Sequence, residues 1–143
     1  PRQIFAYLKN YFDKRNIVKK RNLKALVTAG PTREYIDPIR YISNESSGKQ
    51  GYEIAIALNK LGIKTTLITG PSKLTSPKGI KVKKIISADE MLIEVKKTLP
   101  VDLAVCTAAG ADLKPVEKSK SKIKKQDSLN LDLEKNVDIL SYV

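Results

Sequence analysis

Two short apolar runs, LKALVTAG (residues 23–30) and IKTTLITG (residues 63–70), each stop at a glycine followed by proline. An apolar helical pattern separates them. Runs of this length, closed by Gly-Pro, read as buried strands rather than helices. Between them Ile54, Ala55, Leu58 and Leu61 fall on one helical face, and Gly62 follows as a C-cap glycine. Downstream, GIKVKKII (79–86) sets Ile80 and Val82 on alternate positions as a third strand. SADE (87–90) is a capping box, with Ser87 as cap and Glu90 reaching back. The helix it opens turns Met91, Leu92 and Val95 inward and stops before Pro100. VDLAVCTAAGAD (101–112) is a fourth strand running into a loop of small residues. Strand, helix, strand, strand, helix, strand predicts the α/β class: a Rossmann-like, mostly parallel sheet with flanking helices.

The remaining stretches set the boundaries. Residues 1–22 read as a helical, basic linker, with Ile4, Leu8, Tyr11 and Phe12 at helical spacing, and residues 23–143 as the Rossmann-like domain. PTREYIDPIRYISN (31–44) reads as a long polar loop of the functional kind. LKPVEKSKSKIKKQDS (113–128) reads as an exposed, mobile, lysine-rich loop, and LNLDLEKN (129–136) alternates like an edge strand. NVDILSYV (136–143) begins an apolar helical pattern that the sequence leaves unfinished, so the domain is expected to continue past Val143.

The 143 residues are 41% apolar and carry a formal charge of +12, from 27 Lys and Arg against 15 Asp and Glu. That content supports one folded core. There is no histidine, which removes Ser–His and Cys–His pairs and ordinary zinc ligation. Cys106 stands alone, which fits a reducing cytoplasm, and reads as a small buried core residue. No apolar run reaches 18 residues, so no membrane helix is expected. The lysines are dispersed and few aromatics interleave with them, so solvated basic faces are favoured over a nucleic-acid platform.

The candidate site gathers at loops that follow strands. In SNESSGKQG (43–51), Ser46 or Ser47 would cap the helix, while Gly48 and Gly51 would admit an anion or a close helix-to-sheet contact. A dinucleotide fingerprint wants G-x-G-x-x-G directly after the strand, but Gly30 lies 18 positions before Gly48. Spacing alone leaves a capped helix start and a phosphate site at even odds. In AAGAD (108–112) Asp112 would either receive an amine or a hydroxyl, or cap a turn. KIKK (122–125) would either close over a phosphoryl group or lie as a solvated charge run. Arg33, Asp37 and Arg40 decorate the long loop.

Together, LVTAGPTREYIDPIRYISNESSGKQGYEIA, TLITGP, AAGAD and KIKKQ resemble the phosphopantothenoylcysteine synthetase (phosphopantothenate–cysteine ligase) family, across about residues 23–143. Gly110 and Leu113 depart mildly from the family's usual aliphatic and aromatic residues. The resemblance implies the N-terminal part of the ligase domain of a bifunctional coenzyme A biosynthesis protein, cytoplasmic and homodimeric when complete. It implies CTP with Mg²⁺, and FMN only if a decarboxylase half lies upstream. It also implies an acyl-cytidylate formed from 4′-phosphopantothenate and then displaced by cysteine. Asn44 and Lys122 would be catalytic. Arg40, Ser43, Ser46, Ser47, Gly48 and Gly51 would bind substrate. Gly30, Cys106, Thr107, Ala108, Asp112 and Lys122 would bind the nucleotide. An inactive truncated ligase, an NAD(P)-binding Rossmann module and a basic nucleic-acid binder are the alternatives.

Overall fold

The computed structural model describes residues 22–125 and 128–143. The linker helix expected over residues 1–22 lies outside them, apart from Asn22. In chain order the elements are β1 (Lys24–Ala29), β2 (Glu34–Tyr35), β3 (Tyr41–Ile42), α1 (Lys49–Lys60), β4 (Lys64–Thr69), β5 (Lys81–Lys84), α2 (Ala88–Thr98), β6 (Leu103–Cys106), β7 (Leu113–Pro115), β8 (Leu133–Lys135) and α3 (Ile139–Tyr142). Four strands form a parallel sheet in the order β5-β4-β1-β6. The chain therefore winds outward from β1 in both directions, as a Rossmann-like fold does.

Strand β1 lies between β4 and β6 and is covered on both faces, so it reads as a continuous apolar run. On one face Leu26, Ile68 and Ile85 pack with Met91 and Val95 of α2. On the other, Val27, Ala29 and Leu67 pack with Tyr52 and Ala55 of α1. Strand β6 borders the sheet among the described residues. Leu103 is 40% exposed and Cys106 is half-buried, not the core residue its neighbours suggested.

The helix ends refine the expected caps. Gly48, with φ 75°, is the N-cap of α1 and offers no side chain. Ser46 and Ser47 are not the cap; their hydroxyls accept from the Gly48 and Lys49 amides at 3.2 and 3.3 Å. At the other end Leu61 is the C-cap and points outward, 60% exposed, because the last helical turn closes at Lys60. Tyr52, 4% exposed, fills the inner face instead. In α2 the Ser87 hydroxyl accepts from the Glu90 amide at 3.2 Å. The Glu90 carboxylate reaches back one residue further than expected, to the Ile86 amide at 2.8 Å.

Two segments read as loops hold short hairpins. Within residues 31–44, β2 and β3 pair antiparallel, Glu34 with Ile42 and Tyr35 with Tyr41. Strand β7 lies inside the expected mobile loop and pairs with β8, Leu113 with Lys135. The alternation over residues 129–136 did mark β8, whereas the two-residue β2 and β3 are too short for alternation to register and Pro115 masks β7.

Helix α1 sits close on the sheet. A Cβ added at Gly51 would lie 2.5 Å from both the Ala29 Cβ and the Thr107 Oγ1. Gly51→Ala should therefore cost about 1–3 kcal/mol of stability. Gly110→Ala, whose Cβ would meet nothing nearer than the Thr32 Oγ1 at 4.0 Å, should be close to neutral. Urea unfolding of the two variants against the parent checks both.

Candidate active site

At the carboxyl end of the sheet the β1–β6 pairing continues past both strands. The Thr28 carbonyl accepts from the Thr107 amide at 3.1 Å and its hydroxyl at 2.6 Å. The Gly30 carbonyl accepts from the Ala109 amide at 2.9 Å, and the Thr32 hydroxyl accepts from the Ala111 amide at 3.0 Å. The loop 107–111 thus lies as an extended strip along residues 28–32. Two amides fasten its far side. Asn44 Nδ2 donates to the Gly110 carbonyl at 2.7 Å, and Asn136 Nδ2 donates to the Ala111 carbonyl at 2.9 Å.

Two cavities lie nearby, one lined in part by this strip and the other by the 31–47 segment and the loop after β4. One, of about 470 Å³, is lined by Thr28, Met91, Cys106, Ala108, Asp112 and Asn136 among others. The other, of about 750 Å³, is lined by Arg33, Tyr41, Ser43 to Ser47 and Pro71 to Leu74 among others. Asn44 lines the larger cavity and Gly110 the smaller, so the Asn44–Gly110 bond links the lining of one to the lining of the other.

Gly30 and Gly48, 18 positions apart in sequence, meet in space. A Cβ at Gly48 would lie 3.1 Å from the Gly30 Cα, and both residues have φ above 70°. With Gly51 under α1, three glycines occupy the roles of a dinucleotide fingerprint: tight turn, close backbone approach, and helix-to-sheet contact. The intervening 17 residues, 31–47, form an insertion carrying the β2–β3 hairpin.

Of the expected site residues, Ser43, Asn44, Ser46 and Ser47 line the larger cavity, and Cys106, Ala108 and Asp112 the smaller. Thr107 faces the other way, toward Gly51. Ser43 donates its hydroxyl to the Thr32 carbonyl at 2.6 Å. Arg40 is engaged by Asp37, through Nε at 2.9 Å and through Nη2, and its Nη2 also donates to the Ile123 carbonyl at 3.1 Å. Lys122 is exposed and lines neither cavity.

Sequence reasoning missed Thr28, Thr32 and Asn136, which hold the strip, because isolated polar residues in apolar runs carry no spacing signal. It missed Lys73, which lines the larger cavity, and Ser72, whose hydroxyl donates to the Ser47 carbonyl at 2.9 Å. It also missed that Arg33 stacks on the Tyr41 ring, 4.6 Å from the centroid.

A family model, the DNA/pantothenate metabolism flavoprotein C-terminal domain, matches residues 20–143. The chain belongs to that family. The coenzyme A biosynthesis bifunctional protein CoaBC of Haemophilus influenzae is 43% identical over 145 residues, covering 100% of this chain and 36% of that protein. The chain thus spans about a third of the length of such relatives. Among solved structures, the C-terminal domain of a CoaBC protein superposes with a TM-score of 0.74 at 38% identity, covering 85% of this chain and 58% of that one. A DNA/pantothenate metabolism flavoprotein from Streptococcus pneumoniae gives 0.72 at 26% identity, covering 83% and 62%. The DNA/pantothenate metabolism flavoprotein family thus shares the Rossmann-like arrangement that positions this site.

The electrostatic anchor of the β2–β3 hairpin is Asp37, which is fully buried. The Arg40 guanidinium, followed by backbone amides of Ile39, Arg40 and Ile123, holds its carboxyl well below the usual carboxylate range. A carboxylate with a depressed folded pKa stabilises the fold fully above its unfolded pKa, and loses that contribution as pH falls toward the folded value. Asp37→Asn should therefore be less stable than the parent at pH 7. The gap should close as pH drops below about 4, the ordinary carboxylate range. Urea unfolding of both proteins at pH 7 and pH 3 measures this, and a gap that does not narrow would contradict it.

Proposed function

We propose that this chain carries the activation site of a phosphopantothenate–cysteine ligase in coenzyme A biosynthesis. The observation that carries the reading is the Asn44–Gly110 bond, which links the linings of two cavities and so suits a reaction that brings two substrates together. Family membership and the similarity to CoaBC proteins support the same chemistry.

In this reading CTP and 4′-phosphopantothenate take opposite sides of the strip. The family resemblance implies the phosphopantothenate at Gly48 and the nucleotide along Cys106 to Ala108. The meeting of Gly30, Gly48 and Gly51 favours the reverse, with nucleotide phosphates against the glycines and the pantothenate acyl group reaching Asn44 from the smaller cavity. The substrate carboxylate attacks the α-phosphorus, a P–O bond forms, and pyrophosphate leaves. The cysteine amine then attacks the acyl carbon, CMP leaves, and the amine proton passes to solvent. Neither step needs a protein nucleophile, so a chain without histidine can serve by positioning and charge stabilisation.

Asn44 would hold the acyl oxygen with an amide that the fold has already oriented. Lys122 would neutralise charge on the phosphates. Among the described residues no group of three Asp, Glu, Cys or His is placed to hold a metal. The Mg²⁺ that the family implies would be carried mainly by the triphosphate's own oxygens, as Mg²⁺ with nucleotides usually is. A second copy of the chain, expected from the family, belongs to the same reading.

Asn44→Asp should lower the rate of ligation at least about 100-fold, since a carboxylate repels the acyl phosphate and cannot donate to the Gly110 carbonyl. Lys122→Gln should slow CTP-dependent pyrophosphate release about tenfold or more while leaving the melting temperature unchanged. Pyrophosphate release with CTP, Mg²⁺, 4′-phosphopantothenate and cysteine is the assay, and parent-like rates in both variants would remove these roles.

A further inference from the structure

We propose that Asp37 and Arg40 are positioning residues that clasp the peptide at Ile123 and so hold the neighbouring Lys122 for the ligation proposed above, on which the inference rests. Ile123 donates its N–H to Asp37 Oδ2 at 3.3 Å, and its carbonyl accepts from Arg40 Nη2 at 3.1 Å. Both polar backbone groups of one residue are thus held by two side chains that also bond each other. Ile123 is the one half-buried residue in the otherwise exposed run 121–125. A second stitch lies nearby, where the Ser119 amide donates to the Ile36 carbonyl at 2.9 Å.

The two oxygens of Asp37 divide the work. Oδ1 accepts from the Ile39 and Arg40 amides at 2.8 Å, which folds the turn as an aspartate commonly does. That bond pair needs no second oxygen. Oδ2 faces the Arg40 guanidinium and the Ile123 amide, 86 residues away in sequence. A buried carboxylate accepting five bonds is a costly device for a solvated loop, because burying the charge must be offset by every partner. The cost is explained if the loop must be fixed. A lysine rooted in a held backbone loses less entropy when it meets a phosphoryl group than one on a free loop. The same hairpin continues through β3 to Asn44, four residues after Arg40, so one element carries Asn44 and the anchor of Lys122. Arg40, expected to touch substrate, acts in this account through the Ile123 carbonyl.

The test uses the purified chain and the variants Asp37→Asn, Lys122→Gln and their combination, each confirmed as folded by its thermal transition. Arg40→Lys serves as a milder break, since it keeps the charge and loses the fork. Asp37→Asn and Arg40→Lys should speed hydrogen exchange at the Ile123 amide, and tryptic cleavage after Lys122, by about tenfold or more. Asp37→Asn should also weaken CTP-dependent pyrophosphate release as Lys122→Gln does, and the double variant should be no worse than Lys122→Gln alone. Unchanged exchange at Ile123 would overturn the clasp. Losses that simply add would overturn the positioning role and leave Asp37 a fold residue. If the parent releases no pyrophosphate with CTP and 4′-phosphopantothenate, the ligase reading falls and the role for Lys122 with it, while the exchange rates still report whether the clasp exists.

Discussion

The site depends on a ladder of hydrogen bonds that outlasts its strands. Residues 28, 30 and 32 meet residues 107, 109 and 111, so the two-residue period of a parallel pair persists beyond β1 and β6. Glycine and small side chains let the backbones stay close, and Gly30 turns the chain away with φ 72°. Without that ladder the AAGAD segment would be a free loop and the Asn44 amide would have no carbonyl to face. With it, the Gly110 carbonyl that faces Asn44 is held by the backbone pairing that continues from the sheet.

The buried polar side chains follow the same geography. Of the buried polar side chains, Thr28, Thr32, Asp37, Thr69 and Asn136 lie at or beyond the carboxyl ends of strands, Glu34 opens β2, and Thr65, near the amino end of β4, donates its hydroxyl to the Ile63 carbonyl. Each is used. Thr28, Thr32 and Asn136 hold the strip, Glu34 accepts from the Ala88 amide at the start of α2, and Asp37 holds the hairpin turn. Among the described residues every buried side-chain polar atom has a partner. Satisfied polar networks are rigid, and an unsatisfied member would cost more than an apolar substitute. Polar burial concentrated at one edge of an otherwise apolar core is how a site is oriented before any ligand arrives.

What was legible in the sequence was whatever had a period or a stop signal. The four strands, both helices and the order of elements follow from apolar runs, helical spacing and Gly-Pro stops. Gly48 and Asp112 stood out as candidates because they sit in segments too polar and too small to be core, while a role for Asn44 came only with the family resemblance. The β2–β3 hairpin was not legible, since two paired residues cannot show alternation, and β7 was not, although its partner β8 falls in the segment read as an edge strand. Nor was the meeting of Gly30 with Gly48, because a fingerprint is recognised by contiguity and 17 residues interrupt this one. The clasp was hidden for the same reason: Asp37 next to Pro38 reads as a local turn, and nothing local to Ile123 points 86 residues back. Thr28 and Asn136 gave no signal at all. Their importance is relational, and it appears only when β1, β6 and β8 are brought together.

In the proposed function, the interruption would account for how one fold serves two substrates. A contiguous glycine turn gives one anion-binding edge and little else, because strand leads to helix within a few residues. Lengthening that turn costs little, since each doubling of a loop adds only about 0.6 kcal/mol of closure entropy. The insertion here is not left as loop. Its hairpin is pinned by Asp37, closed on itself by the Ser43–Thr32 bond, tied to the strip through the Asn44–Gly110 bond, and joined to the lysine-rich segment through Ile123. The glycines still meet, so the anion edge survives. The inserted residues add a wall that the glycine turn alone lacks, with a second cavity behind it. A two-substrate site can therefore be derived from a one-ligand edge without changing the sheet, provided the insertion brings its own buried carboxylate to hold it in place.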